Sequence, residues 1–204
     1  MSRAACLLLL AAVALTGCAF ASERAVAPPS SAASPAAELA AVPVRPVVSG
    51  QQPLDVIYVP TPDDVVRQML TLARVKPGDV VYDLGSGDGR IVIAAVKDFG
   101  ATRGVGIDLD PARTVEAGAN ARAAGVADRV SFLTQDLFAS DFSDASVVAV
   151  YLLPGLLQRL VPQLRALAPG TRIVSHNYDM GQAWRPDDTV LLNQSLIHLW
   201  RVPR

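Results

Sequence analysis

Cysteine is almost absent from this chain, with Cys6 and Cys18 the only two in 204 residues. Both lie near the N-terminus, so the rest of the chain cannot be stapled by an internal disulfide. Histidine is as scarce: only His176 and His198 occur, far apart in sequence. No Cys/His cluster has metal-ligand spacing, and no metal is expected. Charge of one sign is missing too. Eighteen Lys and Arg stand against nineteen Asp and Glu, a formal net charge of −1. Without a clustered positive surface to meet phosphates, a nucleic-acid partner is not expected. Nor does any apolar run approach the roughly 20 residues of a membrane-spanning helix. What is plentiful is apolar residue: 51% of the chain, enough for the core of one domain.

The first fifty residues differ from the rest. Arg3 precedes a short apolar run over residues 4–15, which ends in small residues around Gly17 and Cys18. A charged start, a short apolar stretch and a small-residue stop describe a secretory signal over residues 1–17. Leu15-Thr16-Gly17-Cys18 resembles the bacterial lipobox, in which the chain is cut before the cysteine and the cysteine is acylated. That resemblance implies export and a membrane tether through lipidated Cys18. With Ala19 next, the outer membrane or periplasmic face is the expected location. An ordinary cleaved signal, or a cytoplasmic protein starting further on, are the alternatives. Residues 18–52 are mostly Ala, Pro, Ser and Val, which cannot bury enough surface to offset their ordering entropy, and read as a disordered tether. The folded domain is expected over residues 53–204.

That domain reads as alternating strands and helices. Thr61-Pro62-Asp63-Asp64 marks a helix start, with Thr61 as cap, Pro62 at the first helical position and two carboxylates at the positive end of the helix dipole. Short apolar runs at 79–84, 103–107, 129–134, 146–152 and 172–175 read as strands. Helical stretches at about 88–98, 111–124 and 155–167 separate most of them, the last carrying Leu156, Leu160, Leu164 and Leu167 on one stripe. Such alternation implies βαβ units and a largely parallel sheet. No convincing helix lies between His176 and Thr189, after which 189–192 and 196–202 read as an antiparallel pair at one sheet edge.

Chemistry in such sheets gathers at the carboxyl ends of the strands. Asp83-Leu84-Gly85-Ser86-Gly87-Asp88-Gly89 falls at the end of the first strand. Its glycines allow a tight turn and close approach of a ligand to bare backbone. A dinucleotide fingerprint would place a third glycine three positions after Gly87, but Arg90 stands there. The carboxylate of Asp83 would repel a pyrophosphate and suits a cationic amino-acid ligand. Asp108, past the second strand, can accept hydrogen bonds from a ribose diol or simply cap the next helix. Asp136, past the third, is within reach of an adenine amino group, with Leu137 able to pack on the ring; alone it would be an ordinary loop acid.

Together these residues resemble the class I S-adenosylmethionine (SAM) dependent methyltransferases over roughly residues 58–204. The resemblance implies a Rossmann-like, seven-stranded, mostly parallel sheet whose last strand is antiparallel. It makes SAM the cofactor, held by Asp83, Gly85, Ser86, Gly87, Gly89, Asp108, Leu109, Asp136 and Leu137. Tyr58-Val59-Pro60-Thr61-Pro62, residues 83–90 and Tyr151-Leu152-Leu153-Pro154 further resemble small bacterial relatives of mitochondrial protein-lysine methyltransferases. A protein lysine is then the expected methyl acceptor, with a small molecule, or an exported SAM-binding module without transfer activity, as alternatives. The fourth strand does not end in Asn-Pro-Pro-Tyr, which disfavours methylation of adenine or glutamine amide nitrogen. It also lacks the acid of a magnesium-dependent catechol-type enzyme. Tyr58 and Tyr151 are candidates for groups beside the transferred methyl, or core tyrosines. His176 is a candidate proton acceptor, or a merely hydrogen-bonded histidine. Trp184 either walls the substrate entrance or covers the sheet edge.

Overall fold

A computed structural model describes residues 58–204; the signal, lipobox and tether expectations lie outside the described residues. The chain runs α1 (Asp63–Leu72), β1 (Val80–Leu84), α2 (Arg90–Lys97), β2 (Arg103–Asp108), α3 (Pro111–Ala123), β3 (Val130–Thr134), β4 (Val147–Val150), α4 (Pro154–Arg165), β5 (Arg172–His176), β6 (Asp188–Leu192) and β7 (Ser195–Arg201). All seven strands form one sheet in the order β3-β2-β1-β4-β5-β7-β6. Strands β1 to β5 pair in parallel, and β7 runs antiparallel to both neighbours. The α/β, seven-stranded reading therefore holds, including the paired strands of the tail.

Strand period 2 divides the core into two layers. Val81, Val147, Ala149 and Val174 face Val65, Met69 and Leu70 of α1 and Ile91, Val92 and Ala95 of α2. Tyr82, Leu84, Val148, Val150 and Ile173 face Leu157, Leu160 and Leu164 of α4. Trp184 belongs to this second layer. It is 9% exposed, and its carbonyl accepts a hydrogen bond from the Trp200 indole at 2.9 Å. Of its two expected roles, covering the sheet is the one the structure gives it.

Most boundaries shift by a residue or two, and two of the shifts bear on the site. Helix α1 begins one residue later, with Pro62 in the cap position, and no side chain caps it. Thr61 is drawn off elsewhere: its hydroxyl lies 3.3 Å from His176 Nδ1 and its carbonyl accepts from Arg90 at 2.9 Å. Strand β4 stops at Val150, before the expected residue 152, because Pro154 opens α4 and Tyr151 to Leu153 form the turn between them. Between His176 and β6 there is only a single 3-10 turn at Gly181–Ala183.

The amino ends of the strands hold a buried ionic knot that the sequence reading passed over. Asp79 is 4% exposed and pairs with the Arg172 guanidinium. It also accepts from the Ser146 hydroxyl and the Lys76 amide, each at 2.9 Å. Arg172 in turn donates to the carbonyls of Ala73 and Arg74, at 3.0 Å each, just past the end of α1. Four separate segments are thus fastened at the end of the sheet opposite the carboxyl ends.

Candidate active site

The sheet order reverses between β1 and β4, which opens a crevice beyond their carboxyl ends. Asp83 sits at that end of β1. It is 2% exposed, and its Oδ1 has no hydrogen-bond partner within the protein. Burial, then the neighbouring charges of Asp108 and Asp88, push its pKa well above the usual carboxylate range. Ser86 repeats the pattern: its hydroxyl is buried and unpartnered. Buried polar atoms normally find partners, and two orphans in one short turn are groups that a polar ligand would satisfy.

The turn itself is rigidly held. Gly85 and Ser86 amides donate to the Ile107 carbonyl at 2.8 and 3.0 Å, tying the turn to the end of β2. Gly87 has φ +52°, and a Cβ there would lie 2.2 Å from the Tyr58 ring. Only a residue without a side chain lets the turn and Tyr58 meet. Gly89, at φ +81°, leads into α2; a Cβ there would meet Phe132 at 2.5 Å.

Asp108 ends β2 beside this turn. One carboxylate oxygen accepts from the Gly87 amide at 2.8 Å and the other from the Asp110 amide at 2.9 Å. A carboxylate offers about four acceptor sites, so two remain for a diol. The cap of α3 is Asp110, whose side chain accepts from the Ala112 amide, so Asp108 is not the helix cap. Asp136 lies on the same rim, because β3 pairs Thr134 with Asp108 and the Gln135 amide donates to the Asp108 carbonyl. Its Oδ1 accepts from the Phe138 amide at 2.9 Å. Leu137 packs on the α4 layer, whereas Leu109 is 42% exposed.

Tyr58 lies over the glycine turn, with the Arg113 guanidinium 4.4 Å from its ring centroid and the Asp88 carboxylate beside its hydroxyl. Burial first, and Asp88 second, raise its pKa. Asp88 is gripped by Arg90, whose Nη2 donates at 2.6 Å and whose Nε donates at 3.0 Å. Burial works against the Asp88 charge, but Arg90 more than compensates and its pKa is lowered. Since Arg90 also donates to the Thr61 carbonyl, it fastens the 58–63 segment to the glycine turn. Arg90 appeared in the sequence only as a missing glycine; its position directly after the turn was the available signal.

Tyr151 follows β4 and sits beside the glycine turn, since Val150 pairs with Leu84. The ring of His176 is 4.1 Å away. His176 is 3% exposed, and both ring nitrogens face hydroxyls, Thr61 at 3.3 Å and Ser195 at 3.1 Å. Burial lowers its pKa. The expected proton acceptor is thus a buried brace between α1, β5 and β7, with no free ring nitrogen. Its hydroxyl partners come from positions 115 and 19 residues away, a distance no local pattern reveals.

Comparison with known proteins gives the family. Residues 83–188 match the ANTKMT methyltransferase domain. A protein-lysine N-methyltransferase of Saccharolobus islandicus is 45% identical over 134 residues, 65% of this chain and 83% of the relative. The adenine nucleotide translocase lysine N-methyltransferase of Mus musculus is 38% identical over 134 residues, 65% of this chain and 57% of that protein. Among solved structures, an RNA methyltransferase from Salinibacter ruber in complex with S-adenosyl-L-homocysteine is 54% identical with a TM-score of 0.69, covering 71% of this chain and 94% of that one. The sheet order, the glycine turn with its unpartnered Asp83 and these matches agree, and the chain belongs to the ANTKMT methyltransferase domain family, a class I SAM-dependent methyltransferase.

Proposed function

We propose that this chain methylates the side-chain amine of a protein lysine, with Asp83, Asp108 and Asp136 holding SAM. The observation that carries the cofactor assignment is the buried, unpartnered carboxylate oxygen of Asp83. A carboxylate at that depth is costly without a cation, and the ammonium of an amino acid supplies one. Asp108 keeps acceptor sites for a ribose diol, and Asp136 keeps its second oxygen for an adenine amino group. Ser86 and the bare backbone at Gly85, Gly87 and Gly89 complete the cradle, with Leu109 and Leu137 as apolar neighbours of the adenine.

When bound, SAM supplies a methyl on a positively charged sulfur, and the breaking bond leaves its electron pair on sulfur. The protein's task is therefore mostly to position and desolvate. Tyr58, fixed by Asp88 and Arg113 over the turn, shields the cradle from water. Tyr151 lines the side toward the acceptor, and His176 braces it. The Saccharolobus islandicus and Mus musculus relatives are lysine methyltransferases, which supports lysine as acceptor. RNA is the second reading, favoured by the Salinibacter ruber neighbour and opposed by a net charge of −1.

The full chain incubated with methyl-labelled SAM and a cell extract, followed by separate hydrolysis of protein and RNA, tests the acceptor. Label recovered as methyl-lysine is expected; label confined to nucleosides or small molecules overturns the lysine reading. We propose further that Cys18 is lipidated and anchors the enzyme to the envelope, as Leu15-Thr16-Gly17-Cys18 suggests. Wild type should fractionate with membranes and Cys18→Ser should not. Both forms in the cytosolic fraction would contradict export.

A further inference from the structure

Single exposed apolar side chains are ordinary on a protein surface, but here they are confined to one end of the sheet. Leu109, Leu133 and Leu153 stand at or just past the carboxyl ends of β2, β3 and β4. Leu191 and Leu196 oppose each other across the β6–β7 hairpin. They lie level with the end of β5, since the Asn177 amide donates to the Leu196 carbonyl. Tyr58, with Val59 beside it, rests on the glycine turn, and Val115 projects near the start of α3. These eight are all the exposed large apolar side chains among the described residues. The amino ends of the strands present Lys76, Arg103, Arg129, Asp144 and Arg201 to solvent instead.

A bound cofactor does not account for this face. The two most exposed members, Val115 at 71% and Leu191 at 66%, lie on opposite flanks. Val115 is on the helix packed against β2 and β3, and Leu191 is on the edge strand β6. Seven strands at about 4.8 Å spacing set those flanks roughly 30 Å apart, so the occupant must be broad. The chain itself indicates which occupant. Residues 18–57 connect the lipobox cysteine to Tyr58, and so they join the fold at this same rim. A domain anchored by an acyl chain meets the bilayer at high effective concentration, where modest apolar contacts select the face that docks. Rim charge does not oppose this. Arg113 pairs with Asp110 and Glu116, while Asp64 accepts from the Asn193 side chain and Asp179 from the Gly181 amide.

We propose that the carboxyl-end face docks on a lipid bilayer, its apolar side chains entering the headgroup boundary while Cys18 supplies the anchor. This rests on the lipid-anchor reading above and is independent of the lysine reading. The rim that carries the cofactor cradle is thereby turned toward the membrane, and the polar amino ends face water.

The test follows amide hydrogen exchange in the full chain, saturated with S-adenosyl-L-homocysteine, with and without vesicles of phosphatidylethanolamine and phosphatidylcholine. Vesicles should slow exchange about fivefold or more over residues 109–115 and 191–196. The turns at Gly78, Gly125 and Gly170, at the amino ends, should be unchanged. Val115→Asp combined with Leu191→Asp should abolish the slowing while the chain still sediments with the vesicles. Homocysteine-ligand affinity unchanged within twofold shows that this variant is folded. No slowing at the rim, equal slowing at both ends, or slowing that survives the double substitution overturns the docking. Rim protection that appears without vesicles and grows with protein concentration marks a second copy as the occupant and overturns it too. The mass of the Cys18 peptide from the same preparation separates the two readings. An acylated chain with an unprotected rim removes the docking alone, whereas a protected rim on a chain without acyl groups removes the anchor alone.

Discussion

Asp83 carries opposite consequences for the free and the liganded protein. Its pKa is raised by burial and by Asp108 and Asp88, so the folded chain binds a proton there more readily than the unfolded chain. A raised carboxylate contributes fully below the unfolded value of about 3.9, and that contribution disappears as pH rises through the folded value. At neutral pH the empty site is therefore a burden. Asp83→Asn should raise the melting temperature of the ligand-free protein while weakening SAM binding by tenfold or more. In wild type, SAM affinity should climb as pH rises through the raised pKa, because binding an ammonium favours the ionised acid. Calorimetry across pH checks both signs; an unchanged melting temperature with unchanged affinity would remove Asp83 from the site. Asp83 and Asp108 were legible in the sequence because each follows a short apolar run and so lands at a strand end. His176 followed a strand in the same way, yet its neighbours across the fold turn it into a brace. Such partners, like Arg113 on Tyr58, are set by tertiary packing that no local spacing encodes.

Among the elements, strands and helices followed from apolar period, and their order followed from alternation. The departures sit at ends, where side chains choose between local caps and distant partners. Thr61 leaves its helix for His176 and Arg90, and β4 yields Tyr151 and Leu152 to the connection before α4. The Asp79–Arg172–Ser146 knot was not legible, since its members lie 26 to 93 residues apart. Its energetic sign follows from burial. Arg172→Met strands the Asp79 carboxylate and should cost about 3–5 kcal/mol of stability, read by denaturant unfolding. Burial opposes the Asp79 charge, but the hydrogen bonds from Arg172, Lys76 and Ser146 outweigh it and lower its pKa. Stability from this carboxylate is present above about pH 4 and lost as pH falls through its lowered pKa. Wild type should lose stability through that acid window, and Arg172→Met should show a flatter acid limb. A loss below 1 kcal/mol would show that the knot contributes little.

At the scale of the molecule, the reversal of strand order between β1 and β4 explains why the functional residues share one rim. An ion pair of Asp79 and Arg172 fastens the amino ends, and the candidate cofactor-binding residues gather at the carboxyl ends. Calorimetric titration of SAM into wild type and Asp108→Ala measures whether that rim is the cofactor site. Losing charged hydrogen bonds to the ligand is worth roughly 1.5–3 kcal/mol, so the variant should bind about 10- to 150-fold more weakly. Equal affinity in the two proteins would contradict the assignment of Asp108, and with it the placement of SAM beside the glycine turn.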